Sequence, residues 1–249
     1  MPNRHLFPNA TLPLPVVIQN GGSGPRVFDF DDQVFRLVKW HPSSHGITAT
    51  YSELAASRLA QLLSAPALRA MPVWIPEPML PSPGQNVHLG FTFLHGENFL
   101  DTDYPSIKNR ALLPAAALQL CWLRVGDQQG HNQYLWRHDE ILPDKTSRKT
   151  NHFMLIDLAA MFETHDWSGS DLGDGKQAYN LPTHLKAELS MKLMEPYLEA
   201  VQDIPEEDIL GCFVSPEDWG LPASLAEKAT TYLLKRRPHL ADIVTASLS

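Results

Sequence analysis

The stretch CWLRVGDQQGHNQYLW (121–136) places a carboxylate, Asp127, and a carboxamide, Asn132, between an apolar helical run and a predicted strand. A turn containing Gly126 and Gly130 would account for one of them, because Asp and Asn readily hydrogen-bond the local backbone. It does not account for both at a D-x-x-x-x-N spacing directly before a strand. In that arrangement the acid accepts the proton of a hydroxyl group and the amide binds a cation.

Lys39 is the second candidate and stands near the end of the predicted strand 33–40. Because side chains alternate along a strand, Lys39 shares a face with Phe35 and Leu37, and both faces of the strand are largely apolar. The sequence therefore directs a cation at an apolar layer. The structural alternative is a lysine that extends from the strand end to water.

Glu53 lies early in the predicted helix 49–64. The stretch TYSE (50–53) matches a capping box, in which the glutamate folds back onto the helix N-terminus. The functional hypothesis is an ion pair with Lys39 that orients the ammonium group toward the phosphates of a nucleotide. Taken alone, the glutamate favours capping.

Asp157 closes the apolar strand FMLID (153–157). A carboxylate at the end of a buried strand is costly to desolvate unless something positive meets it. A magnesium ion that bridges nucleotide phosphates would meet this need, because Mg²⁺ prefers oxygen ligands. The structural alternative is an N-cap for a helix over LAAMF (158–162).

The first part of the chain is predicted to be a small antiparallel sheet with one helix. Residues 1–15 hold four prolines and indicate an extended N-terminal segment. Residues 49–64 have the spacing of an amphipathic helix, and residues 95–98 resemble a hinge. Apolar runs bounded by turn signals predict strands at 15–19, 26–30, 33–40 and 87–94, and the proline-rich run 71–80 is predicted to be an edge strand or an extended connection.

The second part of the chain is predicted to be mostly helical. Two apolar stretches at 132–136 and 152–158 suggest a short hairpin, joined by a charged connection over 137–151. This connection could contact a partner or substrate, but charge runs usually face water, and exposure to water is favoured. Helices are predicted at 107–125, interrupted or started at Pro114, at 183–204 and at 224–248.

Composition limits the classes of function. With 249 residues, 43% of them hydrophobic, the chain can form one large domain or two small ones. The net charge of −8 argues against a nucleic-acid-binding surface. Cys121 and Cys212 lack a CxxC spacing and are predicted to be buried small apolar residues. No apolar run reaches 18 residues, so no membrane span and a cytoplasmic location are expected.

The candidate residues follow one another in the order of a kinase-like fold, from a glycine-rich turn through the strand lysine and helix glutamate to the D-x-x-x-x-N loop and the strand-terminal aspartate. The chain resembles the HipA-like kinase family, relatives of the bacterial HipA serine/threonine kinases within the protein-kinase-like and phosphatidylinositol-kinase-like fold. The resemblance covers roughly residues 16–245. It rests on QNGGSGPRVFDFDDQVFRLVKW, YSELAASRLAQLLSAP, WLRVGDQQGHNQYLW, FMLIDLAAMF and WGLPASLAEKATTYLLKRRPHLADIV.

The resemblance implies an α+β, bilobal protein-kinase-like fold with ATP and Mg²⁺ as cofactors. A single kinase domain would span residues 16–249, with an N-lobe at about 16–95 and a C-lobe at about 96–249. Asp127 would be the catalytic aspartate. The implied nucleotide-binding residues are Gly21, Gly22, Ser23, Gly24, Lys39 and Glu53, and the implied magnesium ligands are Asn132 and Asp157.

The implied activity is transfer of the γ-phosphate of ATP to a hydroxyl group, on a serine or threonine of a protein in preference to a lipid or a small molecule. Members of the family usually carry basic residues directly after the catalytic aspartate, where this chain has Gln128 and Gln129. A cation there would neutralise charge on the transferred phosphoryl group. The alternatives are therefore a nucleotide-binding pseudokinase that acts as an interaction module, and a purely structural protein whose acids are caps and turns.

Overall fold

The chain forms two lobes in a computed structural model that describes residues 7–15, 24–94, 96–98, 101–126, 132–141, 145–170 and 172–249. Over these residues, the N-lobe is an antiparallel sheet of five strands with one long helix. The C-lobe is mainly helical and holds a second antiparallel sheet of three strands. This is the α+β architecture that the sequence predicts, with a β-hairpin in the helical lobe.

The N-lobe sheet consists of β1 (Ala10–Pro13), β2 (Arg26–Phe30), β3 (Arg36–Lys39), β4 (Ala70–Trp74) and β5 (Val87–Thr92). Its strand order is β1-β2-β3-β5-β4. The edge strand predicted as one alternative for 71–80 is confirmed as β4. Pro72 lies within β4, and an edge strand tolerates proline because one side of its backbone needs no partner.

The opposite edge of the sheet differs from the prediction. Residues 10–13, within the predicted extended segment 1–15, form β1 and pair with β2 in antiparallel register. This strand was not predicted because the segment is rich in proline. Pro13 is tolerated in β1 because, as at Pro72 of β4, one side of an edge strand needs no backbone partner. The predicted strand at 15–19 lies, apart from its first residue, in the stretch 16–23 outside the described residues.

Both faces of the N-lobe sheet are apolar. One face, with Val87, Leu89 and Phe91 of β5, joins a core that runs through helix α1 (Ile47–Leu62) into the C-lobe. A smaller cluster covers the other face. It consists of Ala10, Phe28, Phe30, Val38, Val73 and Ile75. The larger core is shared by both lobes, so α1 is stabilised from both sides.

The C-lobe sheet consists of β6 (Gly96–Asn98), β7 (Gln133–Ile141) and β8 (Ser147–Leu155), in that order. The charged stretch 137–151 was predicted to be a connection that faces water. Its described charged side chains are mostly exposed, as predicted, but most of the stretch is paired strand, so the hairpin is much longer than predicted. Opposite charges stand across the ladder, with Asp139 opposite Lys149 and Glu140 opposite Arg148, and such pairs favour strand pairing.

The segment predicted to be a hinge is also part of this sheet. Gly96 of β6 lies opposite Trp136 of β7. A Cβ atom at Gly96 would lie 2.2 Å from the carbonyl oxygen of Leu135. The two backbones therefore approach so closely that only glycine fits.

The C-lobe helices are α2 (Leu113–Leu123), α3 (Thr183–Lys186), α4 (Met191–Gln202), α5 (Glu206–Cys212), α6 (Ala223–Arg236) and α7 (Leu240–Leu248). Pro114 lies in the first turn of α2, where its missing N–H leaves no helical bond unmade. The helix predicted at 183–204 is divided into α3 and α4. The one predicted at 224–248 is divided by a 3₁₀ turn at Arg237–His239, because Pro238 cannot continue the helical ladder.

The prediction for the two cysteines agrees with the structure, whereas one short helix was not predicted. Cys121 and Cys212 are free and buried, as predicted. Helix α5 was not predicted, because seven residues are too few to give a helical period. Of the helices that the structure describes, none combines the length and the apolar composition that a membrane span needs.

The lobes also meet at a buried histidine. His41 is 3% exposed and stacks on Trp219 of the C-lobe with 4.4 Å between ring centroids. Its Nδ1 lies 2.5 Å from Thr50 Oγ1, and its backbone N–H donates to Nδ1 of His88 at 2.9 Å. Burial lowers the pKa of both His41 and His88 to about 4. Both imidazoles are therefore neutral in the folded protein at pH 7.

Acid should destabilise the protein through these two histidines. Their pKa is about 4 when folded and about 6.5 when unfolded, so unfolding takes up protons, and the free energy of unfolding falls as the pH drops from 7 to 5. We expect a loss on the order of 1–2 kcal/mol per histidine in urea unfolding. His41→Phe can still stack on Trp219 but cannot be protonated, so its loss should be smaller. An equal loss in parent and variant would contradict this account.

The close approach of β6 and β7 gives a second prediction. Gly96→Ala should lower the free energy of unfolding by about 1–3 kcal/mol, because the added methyl group must separate two backbones. Gly211 of α5 is the matched control, since a Cβ there meets no atom within 4 Å. Gly211→Ala should be neutral or stabilise by about 0.5–1 kcal/mol. Urea unfolding of both variants measures the difference, and similar effects would refute the close approach.

Candidate active site

Three charged side chains from distant parts of the chain meet where the lobes face each other. Lys39 Nζ lies 2.6 Å from Glu53 Oε1 and 3.0 Å from Asp157 Oδ1. Lys39 ends β3, Glu53 lies in α1, and Asp157 follows β8. The lysine side chain is 19% exposed and bonded to two carboxylates. The alternative of a lysine that extends to water therefore does not hold.

The position of Glu53 in its helix excludes a capping role. Helix α1 begins at Ile47, with Gly46 as N-cap and no side-chain capping bond, so Glu53 lies in the second turn. A capping-box glutamate must lie three residues after the N-cap. Glu53 is 3% exposed, and its carboxylate instead accepts a hydrogen bond from Lys39.

Burial and mutual attraction set the charges in this cluster. Burial raises the pKa of Glu53 to about 8, against the opposing influence of Lys39. For Lys39, burial alone would lower the pKa, but the two carboxylates raise it well above its usual value. Burial also acts to raise the pKa of Asp157, yet Lys39 and a hydrogen bond with Glu53 hold it below its usual value. The stable charges are thus an ammonium at Lys39 and a carboxylate at Asp157, whose side chain is 46% exposed.

The backbone at Asp157 is unusual. Its φ is 53°, in the left-handed region that non-glycine residues seldom adopt. The next helical turn, Met161–Glu163, has Ala160 as its N-cap, so Asp157 does not cap a helix. Such conformations persist where the surrounding structure imposes them, and they cluster at functional sites. This conformation is found where the carboxylate contacts Lys39.

Asn132 lies beside Asp157 because the strands β7 and β8 pair. The Asn132 carbonyl accepts the N–H of Ile156 at 3.1 Å, one residue before Asp157. Asn132 is 4% exposed. An amide oxygen and a carboxylate are the hard oxygen donors that Mg²⁺ takes from proteins, together with phosphates and water. The donor set at 132 and 157 therefore fits this ion.

Several predicted site residues lie outside the described residues. They are Gly21, Gly22, Ser23 and Asp127, together with Gln128 and Gln129. The attachment points of the loop 127–131 are described. Gly126 donates its N–H to the Ala160 carbonyl at 2.8 Å, and Asn132 follows the loop. Gly126 and Asn132, which flank the stretch 127–131, are therefore both held beside the segment that contains Asp157.

Gly24 is the described member of the predicted glycine-rich turn. It is exposed and has a φ of 58°, which favours glycine. Its carbonyl accepts the indole N–H of Trp40 at 3.1 Å. Trp40 follows Lys39, so this bond places the end of the glycine-rich turn near the lysine.

An ion pair near the loop was not predicted from the sequence. Arg124 pairs with Glu163, and the Glu163 N–H donates to the Arg124 carbonyl at 2.7 Å. Both residues have left-handed backbones, with φ of 49° and 68°. The pair joins the segment before the loop to the segment after Asp157. It depends on backbone conformations that no local sequence pattern specifies.

Comparison with known proteins bears on the fold. The crystal structure of the proinflammatory kinase CtkA from Helicobacter pylori is similar, with a TM-score of 0.58, 95% of each chain covered and 11% sequence identity. The chain has a bilobal kinase-like fold. Because identity this low shows the fold alone, the assignment to the HipA-like family stays a prediction. No family model matches the chain, and neither does any curated protein.

Removal of the lysine should cost stability in the absence of any ligand. Lys39→Met leaves the buried Glu53 without its hydrogen-bond partner and should lower the free energy of unfolding by about 1–3 kcal/mol. A Lys39→Met/Glu53→Leu double variant removes both polar groups and should recover most of this loss. Urea unfolding of the parent, both single variants and the double variant measures the coupling.

The matched control for this experiment is Lys108, whose pair with Glu140 is exposed. Lys108→Met should change the free energy of unfolding by less than about 1 kcal/mol. If the double variant is no more stable than Lys39→Met, the buried pair is not the cause of the loss.

Proposed function

We propose that the protein binds ATP with Mg²⁺ and transfers the γ-phosphate to a hydroxyl group. The observation that carries the proposal is the contact of Lys39 with both Glu53 and Asp157. The partly exposed carboxylate of Asp157 would bind a divalent cation, while the neighbouring ammonium group of Lys39 would bind phosphate. The kinase-like fold supports the proposal.

Lys39 and Glu53 would act together on the nucleotide. The ammonium group of Lys39 would bind the phosphates, and the hydrogen bond that it donates to Glu53 would hold it in one orientation. A lysine side chain has several rotamers. Because the contact with Glu53 already holds Lys39 in one of them, less entropy is lost when phosphate binds. The backbone N–H groups of Gly21, Gly22, Ser23 and Gly24 would approach the phosphates from the glycine-rich turn.

Asn132 and Asp157 would hold the magnesium ion. The bound ion would offset the charge on the phosphates and orient the γ-phosphate. Asp157 is suited to this role because its side chain is 46% exposed and its pKa lies below the usual value. Asn132 adds a neutral oxygen donor from the adjacent strand end.

Asp127 would be the catalytic residue. Its carboxylate would accept the proton of the acceptor hydroxyl while that oxygen bonds to the γ-phosphorus and ADP leaves. The contacts at Gly126 and Asn132, on either side of the loop, support a position for Asp127 beside Asp157. A general base of this kind contributes roughly 10²–10⁴-fold to the rate.

The acceptor would approach along a groove next to the loop. This groove has a volume of about 280 Å³ and opens beside Gly126. Its other lining residues include Val125, Glu163, Tyr179 and Asn180. Following the resemblance to HipA-like kinases, a serine or threonine of a protein is the favoured acceptor, ahead of a lipid or a small molecule.

A pseudokinase is the second candidate function. Gln128 and Gln129 occupy positions where a cation would stabilise the transferred phosphoryl group, so the rate of transfer is expected to suffer. A pseudokinase would keep the nucleotide site and act as an interaction module. It differs from the kinase in one measurable respect, which is the transfer of phosphate.

The purified protein should transfer label from γ-labelled ATP in the presence of Mg²⁺, to itself, to an acceptor or to water. Asp127→Asn should lower this transfer by roughly 10²–10⁴-fold and keep the thermal stabilisation that ATP and Mg²⁺ give. Asp157→Ala should lose both, because it lacks the carboxylate for the cation. Asp203→Asn, an exposed position at the end of α4, should change neither.

The outcomes separate the candidates. Full transfer by Asp127→Asn would show that the catalytic assignment is wrong. Stabilisation by nucleotide without transfer would favour the pseudokinase. If the protein shows neither transfer nor stabilisation, nucleotide binding is refuted and the charged cluster has a structural role.

A further inference from the structure

The part of helix α1 from residue 48 to residue 57 is enclosed on every side. All ten residues from Thr48 to Ser57 are buried, including Glu53. A helix at the surface of a protein buries one stripe and exposes the other. Here the C-lobe covers the faces that the N-lobe sheet leaves open. The helix that carries Glu53 is therefore packed into both lobes.

One segment of the C-lobe, residues 212–219, contacts α1 directly, and we call it the clamp segment. The Tyr51 hydroxyl donates to the Phe213 carbonyl at 2.8 Å. Arg58 donates to the Cys212 carbonyl at 3.2 Å and also to the Val214 carbonyl. Tyr51 and Arg58 lie on either side of Glu53 along the helix. The clamp segment thus holds the part of α1 from which Glu53 projects.

The clamp segment also contacts β5, the strand that pairs with the one carrying Lys39. Trp219 is 1% exposed, and its indole N–H donates to the Val87 carbonyl of β5 at 3.0 Å. Its ring stacks on His41, two residues after Lys39, with an interplanar angle of 16°. The same segment therefore binds the neighbourhoods of both partners in the Lys39–Glu53 pair.

A shift of α1 away from β3 would break these contacts together. The carbonyls of residues 212–214 would lose their donors, and Arg58 would lose two acceptors. The bond from Tyr51 to Phe213 is buried, and buried polar groups without partners are costly, so this contact favours a single position of the helix. In that position Glu53 reaches Lys39.

We propose that the clamp segment is a positioning element for the Lys39–Glu53 pair, with Arg58, Tyr51 and Trp219 as its positioning residues. The inference rests on the proposed nucleotide-binding function and adds how its site is regulated. The pair is held in place by the fold itself. No partner protein or modification is needed to move α1 into position.

The test is a double-mutant cycle on nucleotide affinity. The dissociation constant of a fluorescent ATP analogue with Mg²⁺ is measured for the parent, Arg58→Ala, Glu53→Ala and the double variant. Arg58→Ala should weaken binding by about 3- to 10-fold, and Glu53→Ala by at least as much. The double variant should bind no more weakly than Glu53→Ala, because the clamp acts through Glu53.

The matched control is Gln61→Ala. Gln61 lies on the same helix and is exposed, and its side chain donates to the Ser57 carbonyl of that helix, so its loss should leave affinity unchanged. Tyr51→Phe removes one hydroxyl group from the clamp and keeps the ring. It should weaken binding in the same direction as Arg58→Ala, and it serves as the second variant if Arg58→Ala does not fold.

Other outcomes overturn the inference in distinguishable ways. Unchanged affinity in both Arg58→Ala and Tyr51→Phe would show that the clamp does not position the pair. Equal weakening by Arg58→Ala with and without Glu53 would show that Arg58 acts by another route. A parent protein that does not bind the analogue would refute the proposed function, and the clamp inference with it.

Discussion

The burial of Glu53 is the constraint on which the rest of the site depends. A carboxyl group that is 3% exposed needs a hydrogen-bond partner, and the ammonium group of Lys39 supplies one at 2.6 Å. The contact requires the end of β3 to lie against the second turn of α1, which fixes the helix on the sheet. Because α1 shares the main core with the C-lobe, this one pair also relates the two lobes.

Residues far apart in the sequence reach the site through backbone geometry more than through side chains. Asp157 contacts Lys39 although 118 positions separate them. The β7–β8 ladder brings Asn132 to the same place, and a bond to Ala160 holds Gly126 beside the same segment. The left-handed conformation at Asp157 turns the chain out of the strand as it enters the site. Sheet pairing and one strained residue thus assemble the oxygen donors.

Lys39, Glu53 and Asp157 could be selected from the sequence because each is a charge in an apolar setting. Their mutual contact is a tertiary property that no local pattern contains. The strand content of 137–151 was hidden because its pairing depends on charges across the ladder, not on an apolar period. The clamp segment was hidden for a different reason. It binds Tyr51 and Arg58 through backbone carbonyls, and every residue has a carbonyl.

The length of the β7–β8 hairpin bears on how precisely the chain can be built and altered. The nine-residue strands β7 and β8 run in continuous register from Gln133 opposite Leu155 to Ile141 opposite Ser147. A slip of one residue would turn every side chain to the other face and displace Asn132 relative to Asp157. Each added pair makes such a slip less favourable. The hairpin therefore fixes the position of Asn132 relative to Asp157. Insertions should be tolerated between its strands but not within them.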